Sequence, residues 1–249
     1  MLSAETLEKL RGLDTPTVCN LIELFGVRSR TAGYMDARIR ACFPEMAPIV
    51  GYAATATFRA SAPPRKGDAY SALDSQVERF AELSGPPIVV FQDLDDPSVA
   101  ATFGEVMCTV YRSFGAVGLI SSGTGRDLDQ VRNLGFPVFT AGTVCAHGYL
   151  HIPSLHVPVH VGGIPVYPDD LLHADRNGVT TIPADIADEL ADIGEEFMAA
   201  EAIVIEAMRG REGNLKFLRE KRAESKAVIE KLRGIVSRAR EGENSRLNP

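Results

Sequence analysis

Three charged residues in the middle of the chain have the types and the spacing expected of a small-molecule site. Glu105 is separated by 20 residues from the pair Arg126 and Asp127. That interval holds enough chain for about three helical turns, a tight turn at Gly115 and a strand of about five or six residues. A helix followed by a parallel strand returns the chain to the same edge of a sheet. We therefore expect an acid, a cation and a second acid to share one pocket.

The sequence around these residues predicts alternating helices and strands, the pattern of an α/β fold. Strands are predicted over residues 49–58, 88–91, 116–120 and 137–139, and helices over residues 4–10, 15–25, 68–83, from Gly104, and 127–133. Residues 122–125 are interpreted as a glycine loop. Short strands follow over residues 157–161, 164–167, 171–174 and 179–182, and then two long helical segments over residues 184–208 and 215–240.

Composition limits the class of protein. The chain has 249 residues, 45% of them hydrophobic, which suffices for a substantial core. No run of about 18 apolar residues is present, and the N-terminus lacks a signal-peptide pattern. These features predict a cytoplasmic protein that is not membrane-bound. The four cysteines form no CxxC pair, which argues against a zinc knuckle or a disulfide framework.

Charge is distributed unevenly along the chain. Residues 1–208 contain 14 Lys and Arg against 27 Asp and Glu, whereas residues 209–249 contain 12 against 6. A basic tail can bind nucleic acid or an anionic membrane surface, but the acidic body opposes both. We therefore predict a main domain over residues 1–210 and a charged helical extension over residues 211–249. The favoured role of that extension is packing on a neighbouring subunit.

Four motifs give the chain a family resemblance. They are DTPTVCNLIELFG near the start, GE followed by 20 residues and RD, GFPVFTAG, and VPVHVGGIPVYPDDLLHADRNGVTTIP. Over roughly residues 14–210 the sequence resembles the regulator of ribonuclease activity A-like proteins. That family includes the 4-hydroxy-4-methyl-2-oxoglutarate aldolases, which are class II pyruvate aldolases. The resemblance implies a compact α/β/β/α sandwich of the swivelling phosphohistidine-domain type, assembled as trimers or hexamers with active sites between subunits.

The resemblance also implies how a 2-oxo acid substrate is bound. The backbone N–H groups at Gly104, Glu105, Val106 and Met107 are implied to bind the carboxylate of a pyruvate unit. Independently of the family, the first N–H groups of a helix are unpaired and the helix dipole favours an anion there. Arg126 is implied to hold the carboxylate and the ketone oxygen, a task suited to a planar cation with several donors.

A divalent cation is the implied cofactor. Asp127 is implied to hold Mg²⁺ or Mn²⁺ beside the ketone, and Glu105 to orient a water or move a proton. One further acid is implied to come from the C-terminal helix of the adjacent subunit. The best positional match for it is Glu201, with Glu195 and Glu196 as rivals.

The implied reaction is retro-aldol cleavage or decarboxylation of a 2-oxo acid through a pyruvate enolate. Residues 85–178 contain no lysine, which disfavours a Schiff-base mechanism. The alternative function is that of a non-catalytic binding protein that modulates an RNA-degrading enzyme. In such a protein the Arg-Asp pair would have lost its catalytic role. Metal-dependent release of pyruvate separates the two.

All five histidines fall between His147 and His173, which raises a competing metal-site hypothesis. Two histidines four residues apart on a helix can bind one metal ion, but the prolines at 153 and 158 disfavour a helix in this segment. On strands such pairs lie roughly 13 Å apart, too far for one ion. We favour His160 as a neighbour of the substrate pocket or a hairpin residue.

Overall fold

The computed structural model describes residues 1–64, 69–210 and 212–247. Seven α-helices are present in these ranges: α1 (Ala4–Arg11), α2 (Thr15–Phe25), α3 (Ala69–Glu78), α4 (Glu105–Ser113), α5 (Leu128–Asn133), α6 (Ala187–Met208) and α7 (Leu215–Leu247). The same ranges contain eleven strands: β1 (Arg40–Ala41), β2 (Ile49–Arg59), β3 (Pro87–Asp93), β4 (Ala101–Phe103), β5 (Gly118–Gly125), β6 (Val138–Thr143), β7 (His151–Leu155), β8 (Val159–Val161), β9 (Ile164–Val166), β10 (Leu171–Asp175) and β11 (Gly178–Ile182).

Nine of the strands form one mixed sheet. Its main order is β1-β6-β5-β3-β2-β10-β11, with β4 added to β5 and β7 added to β2. The central pairs β2–β3, β3–β5 and β5–β6 are parallel, and β10 and β11 continue the sheet in antiparallel fashion. Because the parallel strands end at the same edge, the segments after β3, β5 and β6 lie near one another.

The sheet is covered differently on its two faces. Alternate residues of β2 divide between two cores: Val50 and Phe58 belong to the core that contains residues of α1 to α6, whereas Ile49 and Ala53 belong to a core with the β8–β9 hairpin. This division follows from the two-residue period of strand side chains. The α/β class predicted from the sequence is confirmed by this arrangement.

The structure corrects several local predictions. Residues 122–125, interpreted as a glycine loop, are the end of β5. Strands β1, β4 and β7 were not predicted. The predicted helix over residues 68–83 is α3 followed by a short 3-10 helix over Arg79–Glu82. Its predicted first residue, Asp68, lies outside the described residues. The other predicted helices and strands are present with shifted ends.

The C-terminal helix α7 packs on the body of the protein. Leu232 is fully buried and belongs to the same core cluster as α2 and α6 residues, and Val236 is 2% exposed. Of the helices that the structure describes, none is both long enough and apolar enough to cross a membrane.

Candidate active site

The site begins at the N-terminus of α4. Gly104 is the N-cap residue of α4, and it has no side chain that could accept a hydrogen bond from the N–H groups of the first turn. The N–H of Glu105 donates to Asp127 Oδ2 at 3.1 Å. Among the described residues, the N–H groups of Val106 and Met107 have no acceptor. The helix therefore presents two unpaired donors at its positive end.

Arg126 and Asp127 lie between the end of β5 and the start of α5. The N–H of Arg126 donates to Phe103 O at 3.2 Å, which ties this segment to β4. Asp127 has a left-handed backbone (φ 54°, ψ 39°), a conformation that aspartate tolerates better than most residues. Its Oδ2 lies 3.5 Å from Arg126 Nε, and both side chains are about one-third exposed.

Gly104 permits this close arrangement. A methyl group in place of its hydrogen would lie 2.5 Å from Asp127 Oδ2 and 3.2 Å from Arg126 Nε. Any larger residue would push the helix terminus away from the Arg-Asp pair. The requirement comes from space and not from backbone strain, because the φ of −155° is ordinary extended backbone.

One cavity of about 50 Å³ adjoins all of these groups. Its lining consists of Leu73, Ala101, Phe103, Gly104, Val106, Met107, Arg126, Asp127, His147 and Leu150. Five of the six residues predicted from the central motif are thus brought together. Glu105 contributes its backbone N–H to the site, whereas its exposed side chain does not line the cavity.

His147 is the residue of this cavity that sequence reasoning missed. His160, which we favoured as a pocket neighbour or a hairpin residue, belongs to the β8–β9 hairpin and lines a separate cavity with Asp93 and Ser98. The sequence signal that could have identified His147 is its position after β6, because segments that follow parallel strands lie at one edge of the sheet. No group of three or more His, Cys, Asp or Glu side chains suited to a metal occurs in the part of the chain that the structure describes.

The surroundings of Asp127 are partly apolar. Cys108, one turn into α4, is fully buried. Burial raises the pKa of its thiol, and the nearby negative charge of Asp127 raises it further. A thiol that stays protonated is a poor nucleophile and a poor metal ligand, so Cys108 serves as packing beneath the site.

One carboxylate oxygen of Asp127 has no hydrogen-bond partner among the described residues. Oδ2 receives the Glu105 N–H, whereas Oδ1 accepts no hydrogen bond from any described residue. A single carboxylate oxygen suits a hard cation such as Mg²⁺, which keeps several of its waters and takes few protein ligands. The donor set therefore fits a weakly held, hydrated divalent cation.

Glu201 lies away from this cavity within its own chain. It lines a groove between α6 and α7 together with Arg219, Arg222 and Lys226. Burial raises the pKa of its carboxyl, the charge of Asp14 adds to that effect, and a hydrogen bond with Asn20 opposes it. Of its rivals, Glu196 forms an ion pair with Lys231 at 3.7 Å.

The fold and this site define a mixed α/β protein in which an open helix N-terminus lies beside an Arg-Asp pair. Residues 15–181 match the family described as RraA-like, Aldolase/RraA. The chain belongs to this RraA-like family, as its motifs predicted.

Individual relatives support the same assignment. A protein of Halalkalibacterium halodurans with the name "Putative 4-hydroxy-4-methyl-2-oxoglutarate aldolase" is 30% identical over 118 residues, which cover 47% of this chain and 54% of that protein. The aligned part is therefore about half of each chain.

Solved structures share the fold. A protein of Pseudomonas syringae pv. tomato superposes with a TM-score of 0.68 at 21% identity, covering 89% of this chain and 94% of that one. Streptomyces coelicolor RraAS2, described as an unusual member of the RNase ES inhibitor RraA family, gives a TM-score of 0.64 at 24% identity and covers 83% and 99%. At these identities the likeness concerns the fold alone.

Proposed function

We propose that this protein is a divalent-metal-dependent lyase that cleaves or decarboxylates a 2-oxo acid. The observation that carries the proposal is the convergence of the open N-terminus of α4, Arg126 and Asp127 on one cavity. A 2-oxo acid has a carboxylate and an adjacent ketone oxygen. These two acceptors match the two kinds of donor in the cavity, the backbone N–H groups at the start of α4 and the guanidinium of Arg126.

The substrate carboxylate binds at the start of α4. The N–H groups of Val106 and Met107 are unpaired among the described residues, and the helix dipole favours an anion at this end. Gly104 leaves room for close approach. Arg126 supplies further charged donors, and its fixed planar geometry suits a carboxylate beside a ketone.

Asp127 is the residue assigned to hold Mg²⁺ or Mn²⁺ through its free Oδ1. A cation held there would supply positive charge beside the ketone oxygen, where negative charge develops as a carbon-carbon bond breaks. Arg126 adds to that charge and keeps the substrate oriented. The N–H of Glu105 holds the other carboxylate oxygen at 3.1 Å, and this contact orients Oδ1.

Two further acids have proposed roles. The exposed carboxylate of Glu105 is assigned to orient a water at the mouth of the site. Glu201 is assigned to the site of an adjacent subunit, in a homotrimer or homohexamer. Within its own chain it lines the α6–α7 groove, so this role requires assembly. Light scattering of the purified protein tests the assembly, and a monomer would remove Glu201 from the proposal.

Pyruvate release is the direct test of the activity. Oxaloacetate and 4-hydroxy-4-methyl-2-oxoglutarate are supplied in turn, and pyruvate is coupled to lactate dehydrogenase with Mg²⁺, with Mn²⁺ and after EDTA. We expect activity that EDTA removes and Mg²⁺ restores. Absence of turnover with either ion would refute the lyase proposal and favour a binding protein that modulates an RNA-degrading enzyme.

Variants of the Arg-Asp pair connect the activity to this cavity. Arg126→Ala should abolish turnover and Asp127→Ala should remove the response to Mg²⁺, with the fold retained by circular dichroism. The matched control is Arg112→Ala, because Arg112 is exposed on α4 and does not line the cavity. Wild-type rates in either site variant would place the activity elsewhere.

A further inference from the structure

We infer that His147 is the general base of the aldol reaction, accepting at Nε2 the proton of the C4 hydroxyl of a 4-hydroxy-2-oxo acid. The inference rests on the proposed function and assigns one further residue to it. His147 lines the same cavity as Arg126 and Asp127.

The backbone holds His147 in place on both sides. Before it, Ala146 O accepts the N–H of Ala101, at the start of β4, at 3.0 Å. After it, the N–H of Tyr149 donates to Ala60 O at 2.9 Å. These bonds attach the segment to the wall of the cavity, so His147 is not on a freely moving loop.

Gly148 allows that close attachment. Its backbone is left-handed (φ 58°), and a methyl group there would lie 2.7 Å from Ala100 Cβ. Both the conformation and the space favour glycine at this position. The residue after His147 is therefore one that lets the segment approach β4.

The tautomer of His147 follows from the one hydrogen bond that its ring makes to the described residues. Nδ1 lies 3.2 Å from Gly148 O. A carbonyl oxygen only accepts, so Nδ1 carries the proton in the neutral ring. Nε2 then has a free lone pair, and no described residue donates to it. An imidazole with an oriented donor on one nitrogen and a free lone pair on the other is the usual form of a catalytic base.

The chemistry balances without another reagent. Nε2 takes the proton of the C4 hydroxyl, the C4–O bond becomes a carbonyl, and the C3–C4 bond breaks. The electron pair of that bond passes to C3 and the C2 ketone oxygen, giving the enolate of pyruvate. A water then protonates C3, and His147, which is exposed, returns its proton to solvent. Decarboxylation of oxaloacetate gives the same enolate but removes no hydroxyl proton.

This difference between the two reactions provides the test. His147→Asn keeps an amide N–H near the position of Nδ1 and removes the base. We expect cleavage of 4-hydroxy-4-methyl-2-oxoglutarate to fall by about 100-fold or more, the usual contribution of a general base, while decarboxylation of oxaloacetate stays within about twofold. The matched control is His151→Asn, since His151 Nδ1 also bonds a backbone carbonyl, Tyr149 O at 2.9 Å, but lies outside the cavity lining.

Each other outcome overturns the inference. Equal losses in both reactions would show a structural role, and unchanged cleavage would show that the base is another group. Wild-type protein that decarboxylates oxaloacetate but does not cleave the hydroxy acid would refute the base and leave the lyase proposal intact. Wild-type protein that does neither would refute both.

Discussion

Replacement of Gly104 by alanine tests the geometry of the site directly. The added methyl group would lie 2.5 Å from Asp127 Oδ2, whereas non-bonded heavy atoms rest about 3.5 Å apart. The carboxylate or the start of α4 must therefore move by about 1 Å. The same movement lengthens the bond from the Glu105 N–H to Asp127 Oδ2, now 3.1 Å, and disturbs Arg126.

The expected loss is larger in rate than in stability. A displacement of about 1 Å at a catalytic group costs roughly 100-fold, or about 2.7 kcal/mol in the activation barrier. Loss of one partly exposed, charge-assisted hydrogen bond lowers the free energy of unfolding by about 1–2 kcal/mol. For a chain of this size that change lowers Tm by about 2–8 °C.

The assay is metal-dependent pyruvate release measured beside thermal unfolding. Gly142→Ala is the matched control, because a methyl group there meets only Thr124 Cγ2 at 3.7 Å, an ordinary contact. We expect Gly142→Ala to retain nearly wild-type rates and Gly104→Ala to lose them. Wild-type kcat/KM in Gly104→Ala would refute the argument that the close approach of α4 to the Arg-Asp pair is needed for catalysis.

Two further predictions concern stability. Burial lowers the pKa of His173, whose ring nitrogens lie 2.9 Å from Thr15 Oγ1 and 3.0 Å from Leu10 O. Below about pH 6.5 the ring is protonated in the unfolded chain but stays neutral in the folded one, so the free energy of unfolding should fall as the pH drops. Urea titrations of wild type and His173→Asn over this pH range check the prediction. Identical pH dependence of the two proteins would contradict it. Leu232→Ala should destabilise the protein by about 2–5 kcal/mol, because it opens a cavity in the core, whereas Ile235→Ala, at 41% exposure, should cost about 0.5 kcal/mol or less. Equal effects of the two substitutions in urea unfolding would contradict the packing of α7 on the body.

Periodicity and spacing predicted the alternating α/β organisation and the convergence on the α4 terminus. The 20 residues between Glu105 and Arg126 form α4 and β5, and a helix followed by a parallel strand must return to the same edge. Local signals suffice to predict α4 and β5, because the helix and the strand each have their own hydrophobic period and the connection between the two elements is short.

Only the tertiary structure decided which atoms meet in the cavity. Residues 122–125 extend β5 because Thr124 and Gly125 pair with β4 and β6 beyond an irregularity after Ser121. Glycines next to Phe103 and Asp93 permit that approach. Glu105 donates its backbone N–H to Asp127 while its carboxylate lies outside the cavity lining, and His147 lines this cavity whereas His160 lines another. These outcomes depend on strand register and on contacts between segments distant in sequence, and a one-residue change of register reverses which face a side chain occupies. The sequence by itself therefore determined most of the elements and their order, whereas the long-range register decided the short strands and the contacts that make the site.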